Sequence, residues 1–455
     1  MEECSMKSFR VFFFLLILLC VHIALQSSPT GKVYNIQLGA YKTTLEAEQK
    51  KAEFKNHGLD PVFIREDSET SYRYTVRWGH FPTLSQAWVF RLYFKEDLPQ
   101  DADIRWYDWK GEVLSHPSAP TKPPLPEGAL ADVTPELRFQ TDYETADPIP
   151  AEVQSLLEKD DLDSLTPEEI FLKGSHTGDL LEAIRILEQG IQKYDGGEWG
   201  AEMRLRLARK YLAKRQYDKC LELVNSVKST AWPLFSSRAR WVEAYILNSQ
   251  GKTEEALDQF MNCVNDPVLP PRDRLDSAFR IAAIHHVKYQ FYSSYMTYNQ
   301  ILQSSSAGNV KFFCEMELLG LEMELSRRGK GNLEECISLA GDILRRYQGK
   351  NVPPKISAVI QLMRLECHYW LKQYDQAISL AESLAEAFPL ERREAFTALY
   401  WAGRACYDKG LNQEALDFFQ KVEEAQLKDR EVFPGLDIRD LAVKGRIRAK
   451  VKLSE

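Results

Sequence analysis

The 455-residue sequence has no GxxxxGK phosphate loop, no HExxH, no GxSxG and no GxGxxG. These absences remove the nucleotide cradle, the helical zinc site, the strained nucleophile turn and the dinucleotide fingerprint. Histidine is sparse: His22, His57, His80, His116, His176, His285, His286 and His368. The single adjacent pair, His285 and His286, points to two different helix faces rather than sharing one at i, i+4, so it reads as packing or surface. The acidic residues Asp160, Asp161, Asp163, Glu168 and Glu169 lack the central glycine of a calcium loop. No metal, no cofactor and no enzymatic activity are expected. Cysteine is also scarce, and no CxxC pair occurs. Cys4 and Cys20 sit near the N-terminus, whereas Cys220, Cys263, Cys314, Cys336, Cys367 and Cys406 fall in helical sequence and read as small buried hydrophobes. A basic excess is missing too: the net charge is -8 and the isoelectric point about 5.7. That argues against a general nucleic-acid partner.

Long apolar runs are confined to Val11–Leu25, preceded by Lys7 and Arg10. Fifteen residues suit the core of an export signal and fall short of the roughly 18 to 20 of a spanning helix. Residues 1–31 therefore read as a cleaved signal, an uncleaved anchor to the membrane, or a lipidated leader at Cys20. Each alternative places the remainder outside the cytoplasm. Residues 110–167 hold nine of the 21 prolines and twelve acidic against four basic side chains, which is the whole acidic excess of the chain. Such composition buries little apolar surface, so this stretch reads as an acidic, proline-rich linker. Thr166-Pro167 at its end reads as a helix cap with proline in the first turn.

Between these segments, residues 32–109 change period repeatedly. VYNIQLGAY alternates, with Tyr34, Ile36 and Leu38 on one face and Asn35 and Gln37 on the other. TTLEAEQKKAEFKNHG follows as a helix with Leu45, Ala52 and Phe54 on its stripe and Gly58 as its end. PVFIRE is a second strand. SYRYTVRWG is a third, with Tyr72, Tyr74, Val76 and Trp78 inward and Arg73, Thr75 and Arg77 outward. LSQAWVFRLYFKEDL is a second helix and DIRWYDW a closing strand. The order β-α-β-β-α-β predicts a small α+β, ferredoxin-like domain with helices on one sheet face and the other face open. YNIQLGAY, the Ala47 to Ala52 helix, YTVRWGHF and Ala87 resemble the SPOR domain. The resemblance implies binding of bacterial peptidoglycan glycan strands that lack stem peptides, without catalysis, on the open sheet face. By position it carries over to Gln37, Ala40, Thr75 and Arg77, with Tyr72 or Arg73 nearby. Outward aromatics such as Tyr107 or Trp109 suit stacking on a sugar. Thr75, Ala40 and His80 depart from the family pattern, which usually has arginine, a hydroxyl residue and proline there.

Residues 168–455 repeat. A small residue recurs in Leu180-x-x-Ala183, Tyr217-x-x-Cys220, Thr253-x-x-Ala256, Phe291-x-x-Ser294, Leu333-x-x-Cys336, Tyr374-x-x-Ala377 and Asn412-x-x-Ala415. Twelve residues before the last six stand Ala208, Ala244, Ala282, Glu324, Leu365 and Gly403, and Phe260, Tyr298 and Phe419 lie four beyond three of them. Small residues twelve apart let antiparallel helices cross closely. The pattern, with Pro389 as a terminator, resembles degenerate tetratricopeptide repeats, about six or seven in number, forming an all-α solenoid. The basic tail with Lys444, Arg446, Arg448, Lys450 and Lys452 reads as its polar cap. Trp241, Tyr245, Tyr369, Tyr400, Arg404 and Tyr407 are candidates for a groove that holds a protein or peptide, and equally for packing between repeats.

The chain is thus expected to be multidomain, with 32–109 binding glycan and 168–455 recruiting an unidentified protein, as a bacterial cell-envelope adaptor, periplasmic and either membrane-anchored or soluble. Cell division is the implied process. An accessory scaffold subunit of an envelope assembly or secretion complex is the alternative, and a wall hydrolase a third.

Overall fold

A computed structural model describes residues 32–56, 59–66, 74–81, 83–94, 98–99, 102–108, 124–126, 128–134, 151–348, 354–388, 393–424 and 438–454. The leader at 1–31, Gly58, Tyr72, Arg73, Trp109 and Pro389 lie outside them. No helix among the described residues is long and apolar enough to cross a membrane. The chain divides into two compact units, one of residues 1–122 with 315–455 and one of residues 123–314.

In the first unit, β1 (Lys32–Tyr41), β2 (Val62–Glu66), β3 (Tyr74–Phe81) and β4 (Asp103–Asp108) form an antiparallel sheet in the order β2-β3-β1-β4. Helices α1 (Thr44–Asn56) and α2 (Leu84–Tyr93) complete the expected β-α-β-β-α-β order. Its core is aromatic: Trp78 meets Phe94, Phe90 and Phe81 edge-on at 5.3 to 6.0 Å between ring centroids, a favourable geometry for ring quadrupoles. The stripe of α1 differs from expectation. Ala47 and Phe54, seven residues apart and so on one face, are buried, whereas Leu45 is 70% exposed and Ala52 also faces solvent. An isolated leucine in the first turn lies beyond the sheet's reach, and periodicity alone does not report that.

The helical region consists of hairpins. Helices α3 (Ala151–Leu157), α4 (Pro167–His176), α5 (Leu180–Lys193), α6 (Gly197–Ala213), α7 (Tyr217–Lys228), α8 (Pro233–Ser249), α9 (Thr253–Asn265), α10 (Pro271–Val287) and α11 (Phe291–Ser304) belong to the second unit. Helix α12 (Gly308–Arg327) reaches into the first, which contains α13 (Leu333–Tyr347), α14 (Pro354–Trp370), α15 (Tyr374–Ala387), α16 (Arg393–Lys409), α17 (Asn412–Glu424) and α18 (Ile438–Ser454). Each of the seven repeated motifs begins at the first residue of a hairpin's second helix, at Leu180, Tyr217, Thr253, Phe291, Leu333, Tyr374 and Asn412. The small residue three positions on is fully or nearly fully buried in every case. Thr166 caps α4 with a reciprocal bond to Glu169, and Pro167 occupies the first turn.

The turns repeat as well. Arg215, Gly251, Tyr289, Gly329, Lys372 and Gly410 all have positive φ, from 57 to 90°. Each ends a first helix with a bond from the next amide to the carbonyl five residues back, as in Lys252 N to Leu247 O at 3.0 Å and Gln373 N to His368 O at 2.9 Å. This is the left-handed helix stop that glycine favours. Lys372 lies at φ 60°, so Lys372→Gly is expected to stabilise the fold by about 1 kcal/mol. Thermal unfolding checks it, and a destabilised variant contradicts it. His285 and His368 occupy one equivalent place, each bonding the glutamine five residues on at 2.6 and 2.7 Å. The histidine pair is therefore turn chemistry, and its neighbour His286 packs on Phe291. The six described cysteines are buried free thiols, and Cys220 donates to Ala208 O at 3.2 Å, across the paired small positions.

Two expectations need correction. Helix α3 and a single 3-10 turn at Leu162–Ser164 fall inside the stretch expected to be linker. Lys173 Nζ donates to Leu156 O at 2.9 Å and Leu157 O at 2.8 Å, closing the end of α3. Leu125, Leu130 and Val133 of the same stretch are buried as well. A few apolar anchors suffice when a neighbouring surface supplies the rest of the core, and overall composition conceals them. The cap α18 buries Ala442 and Ala449, and Arg446 pairs with Glu423 at 2.6 Å. It also exposes Ile447 and Leu453, so its outer face is less polar than the charge pattern implied.

Candidate functional site

Strand alternation would put Gln37 and Ala40, three residues apart, on opposite faces of the sheet. A bulge corrects this. Gln37 pairs with Arg77 and Gly39 with Val76, so β1 carries one extra residue at Leu38. Ala40 then pairs with Thr75 and returns to the face of Gln37. The four residues carried over by resemblance thus stand on neighbouring rungs of β1 and β3, whose directly opposed side chains lie about 5 Å apart. Tyr72 and Arg73 lie outside the described residues. So does Trp109, and the side chain of Tyr107 is likewise undescribed; its backbone pairs with Val33.

The face is less open than expected. Arg77 is 6% exposed, Thr75 3%, and Asn35 is fully buried. Arg77 Nε donates to Thr75 Oγ1 at 2.9 Å and Nη1 to Asn35 Oδ1 at 3.4 Å, while Thr75 Oγ1 donates to Arg65 O at 3.3 Å. These bonds tie the buried guanidinium to its neighbours on the sheet. The Nδ2 of Asn35 is buried and bonds no group among the described residues. A buried donor of this kind costs about 1–3 kcal/mol unless something accepts from it. Registers with β2 and β4 place Phe63 and Arg65 beside Arg77 and Thr75, and Arg105 and Asp103 beside Asn35 and Gln37. Arg65 and Arg105 are exposed, and Phe63 stacks on His80 at 4.5 Å. Asn35, Arg65 and Arg105 were missed in sequence. Their signal is the same alternation, extended to all four strands once the strand order is known.

The opposite side of the sheet meets helices of its own unit. Tyr34 Oη and the Leu84 amide, the latter at 3.2 Å, both donate to Glu335. Thr83 Oγ1 donates to Glu322 Oε1 at 2.9 Å, and Lys330 Nζ lies 4.0 Å from the Trp88 ring centroid. Glu335 thus sits at the N-terminus of α2, where free amides and the helix dipole favour negative charge. Burial raises the Glu322 carboxyl to about 7, the neighbouring Glu335 adds to the rise, and hydrogen bonding from α2 opposes it. A Glu322 released to water returns toward 4.5, so the docked form holds the extra proton. Docking is expected to strengthen as pH falls from 8 through 7 and to lose this contribution as pH rises through about 7. Hydrogen exchange of the α2 N-terminus in the full chain, corrected for intrinsic rates, should slow at pH 6 relative to pH 8 in wild type but not in Glu322→Gln. An unchanged pH response in the variant contradicts this.

The groove candidates are tied up between repeats. Asp276 of α10 accepts from Trp241 Nε1 at 3.1 Å and from the Tyr245 hydroxyl, both on α8, and Arg280 Nε donates to Tyr245 Oη at 2.8 Å. The first unit repeats the device: Tyr369 of α14 donates to Asp408 of α16, and Arg404 donates to Tyr369 Oη at 2.7 Å and to Tyr400 Oη at 3.3 Å. Tyr407 packs in the cluster around Phe419. Trp241, Tyr369 and Tyr400 are buried, and Tyr245, Arg404 and Tyr407 half-buried. Burial raises the Tyr245 and Tyr369 hydroxyls, the latter to about 12, so both remain protonated donors.

The family model described as "SPOR domain" matches residues 30–96. Residues 30–96 are a SPOR domain. Among solved structures, a tetratricopeptide repeat protein from Parabacteroides merdae is 12% identical, covers 62% of this chain and 98% of its own, and has a TM-score of 0.43. The apo quorum sensor NprR from B. thuringiensis is 15% identical over 68% of this chain and 86% of its own, at 0.44. Yeast Tom70 is 11% identical over 70% and 67%, at 0.38. Identities this low concern fold alone. No curated protein matches the chain. Residues 30–96 match the SPOR family, and the helices that follow stack as hairpins that resemble tetratricopeptide repeats. SPOR domains bind peptidoglycan, and such repeats bind proteins.

Proposed function

We propose that the chain is a non-catalytic cell-envelope adaptor whose SPOR domain binds glycan strands lacking stem peptides and whose repeats recruit a protein. The supporting observation is the Leu38 bulge, which collects Gln37, Ala40, Thr75 and Arg77 on one sheet face. Beside them Arg65 and Arg105 are exposed, and a glycan's hydroxyls and acetamide carbonyls accept from guanidinium donors. Linking wall binding to protein recruitment raises the partner's local concentration at the wall without catalysis. The reading includes a periplasmic location, an N-terminal leader or anchor, and a role in cell division.

The double variant Gln37→Ala, Arg77→Ala in the full chain is expected to lower co-sedimentation with purified sacculi at least tenfold, with far-ultraviolet circular dichroism unchanged. Undiminished binding by a folded variant would move the site off this face. In cells the same variant should lose its midcell position. Retention at midcell would favour an envelope-assembly scaffold positioned by its repeats.

A further inference from the structure

The strongest unassigned feature of the second unit is a stretch of the chain's own proline-rich segment seated on α10 and α11. Leu125, Leu130 and Val133 are buried there. The attachment is built from groups that any peptide offers. Gln300 of α11 grips the backbone of one residue in both directions: Leu125 N donates to its Oε1 at 3.0 Å, and its Nε2 donates to Leu125 O at 2.9 Å. Arg274 of α10 donates to Ala129 O at 3.2 Å and pairs with Asp132. The arginine is itself held by Leu269 O at 3.2 Å. Short turns through Pro126, Gly128 at φ 75°, and Leu130 bring the anchors together.

Ile281, Ala282, Tyr298 and Ile301 lie buried in the α10/α11 hairpin, Ala282 and Tyr298 at its paired small and aromatic positions. An asparagine or glutamine amide that accepts from the N–H and donates to the C=O of one residue reads backbone rather than sequence. The arginine adds a demand for a carboxylate.

We propose that residues 124–134 occupy, in cis, a peptide-docking site on α10 and α11, and that the site accepts in trans a partner segment with the pattern Leu-x-x-x-x-Leu-x-Asp-Val. The inference rests on the reading that the repeats recruit a protein, and specifies where and by what chemistry. A tethered occupant acts at an effective concentration on the order of millimolar. With an intrinsic dissociation constant of about 0.1 mM the site is roughly nine-tenths filled, and a competing partner is weakened about tenfold.

The test uses the full chain and a fluorescein-labelled peptide of residues 123–134. Leu125→Asp with Leu130→Asp releases the cis segment, and Gln300→Ala with Arg274→Ala removes the grip. The released protein is expected to bind the peptide at least tenfold more tightly than wild type. The combined release-and-grip variant, and a peptide carrying Asp132→Lys, should not bind. Equal binding by released and wild-type protein overturns the proposal. So does loss of cooperative unfolding on release, which would make the segment part of the fold. Sacculus sedimentation of the released variant reads the glycan activity separately, so failure of this site and failure of the adaptor reading are distinguishable.

Discussion

Phe419→Ala is expected to destabilise the first unit by about 3–5 kcal/mol, enough to unfold its last repeats at physiological temperature. The ring is fully buried, four residues beyond the small Ala415, and it is clamped between two glycines. A Cβ on Gly403 would approach Phe419 Cε1 to 2.8 Å, and one on Gly445 would approach its Cζ to 2.6 Å. Both glycines are therefore required for closeness, and removing the ring leaves a cavity that neither can fill. Gly403→Val should be comparably damaging by overpacking. Chemical denaturation with circular dichroism reads both, and a loss under about 1 kcal/mol for Phe419→Ala would contradict this packing.

The second large effect concerns the ties between repeats. Asp276→Ala removes the acceptor shared by the Trp241 indole and the Tyr245 hydroxyl and leaves both donors in a buried setting, with Arg280 deprived of its carboxylate 3.6 Å away. The expected cost is about 2–4 kcal/mol. Asp276→Asn, which keeps an acceptor, should cost less than half as much. The comparison separates the two roles open to these aromatics. If Trp241 and Tyr245 chiefly served a partner, Asp276→Ala would alter stability by only a few tenths of a kcal/mol.

Much of this architecture was legible beforehand, for definable reasons. The β-α-β-β-α-β order followed from alternation and from the two helical stripes, and all seven second-helix starts followed from one small residue at a constant offset. Such features are local, or they recur. The bulge at Leu38 was not legible, because a single extra residue leaves the hydrophobic pattern almost intact while exchanging the faces of everything beyond it. The resemblance, which names positions without explaining their geometry, still pointed to Gln37 and Ala40 together.

Long-range pairings were equally hidden. Tyr34 and Glu335 lie 301 residues apart, and nothing in either neighbourhood marks them as partners. The burial of Arg77 contradicts an outward, solvated arginine, because it bonds Thr75 and Asn35 on the sheet. Leu125, Leu130 and Val133 were concealed by the prolines and acids around them, since average composition cannot distinguish a solvated tether from one with three anchors. The groove aromatics and Arg404 were found as residues, but their partners Asp276, Arg280 and Asp408 one repeat away were not.

Recognition of bare glycan by the SPOR domain carries the proposed function. Co-sedimentation of the full chain with purified sacculi, before and after amidase removal of stem peptides, tests it most directly. The account predicts that amidase treatment raises the bound fraction severalfold. Binding that is equal before and after treatment, or strongest on intact sacculi, would contradict it.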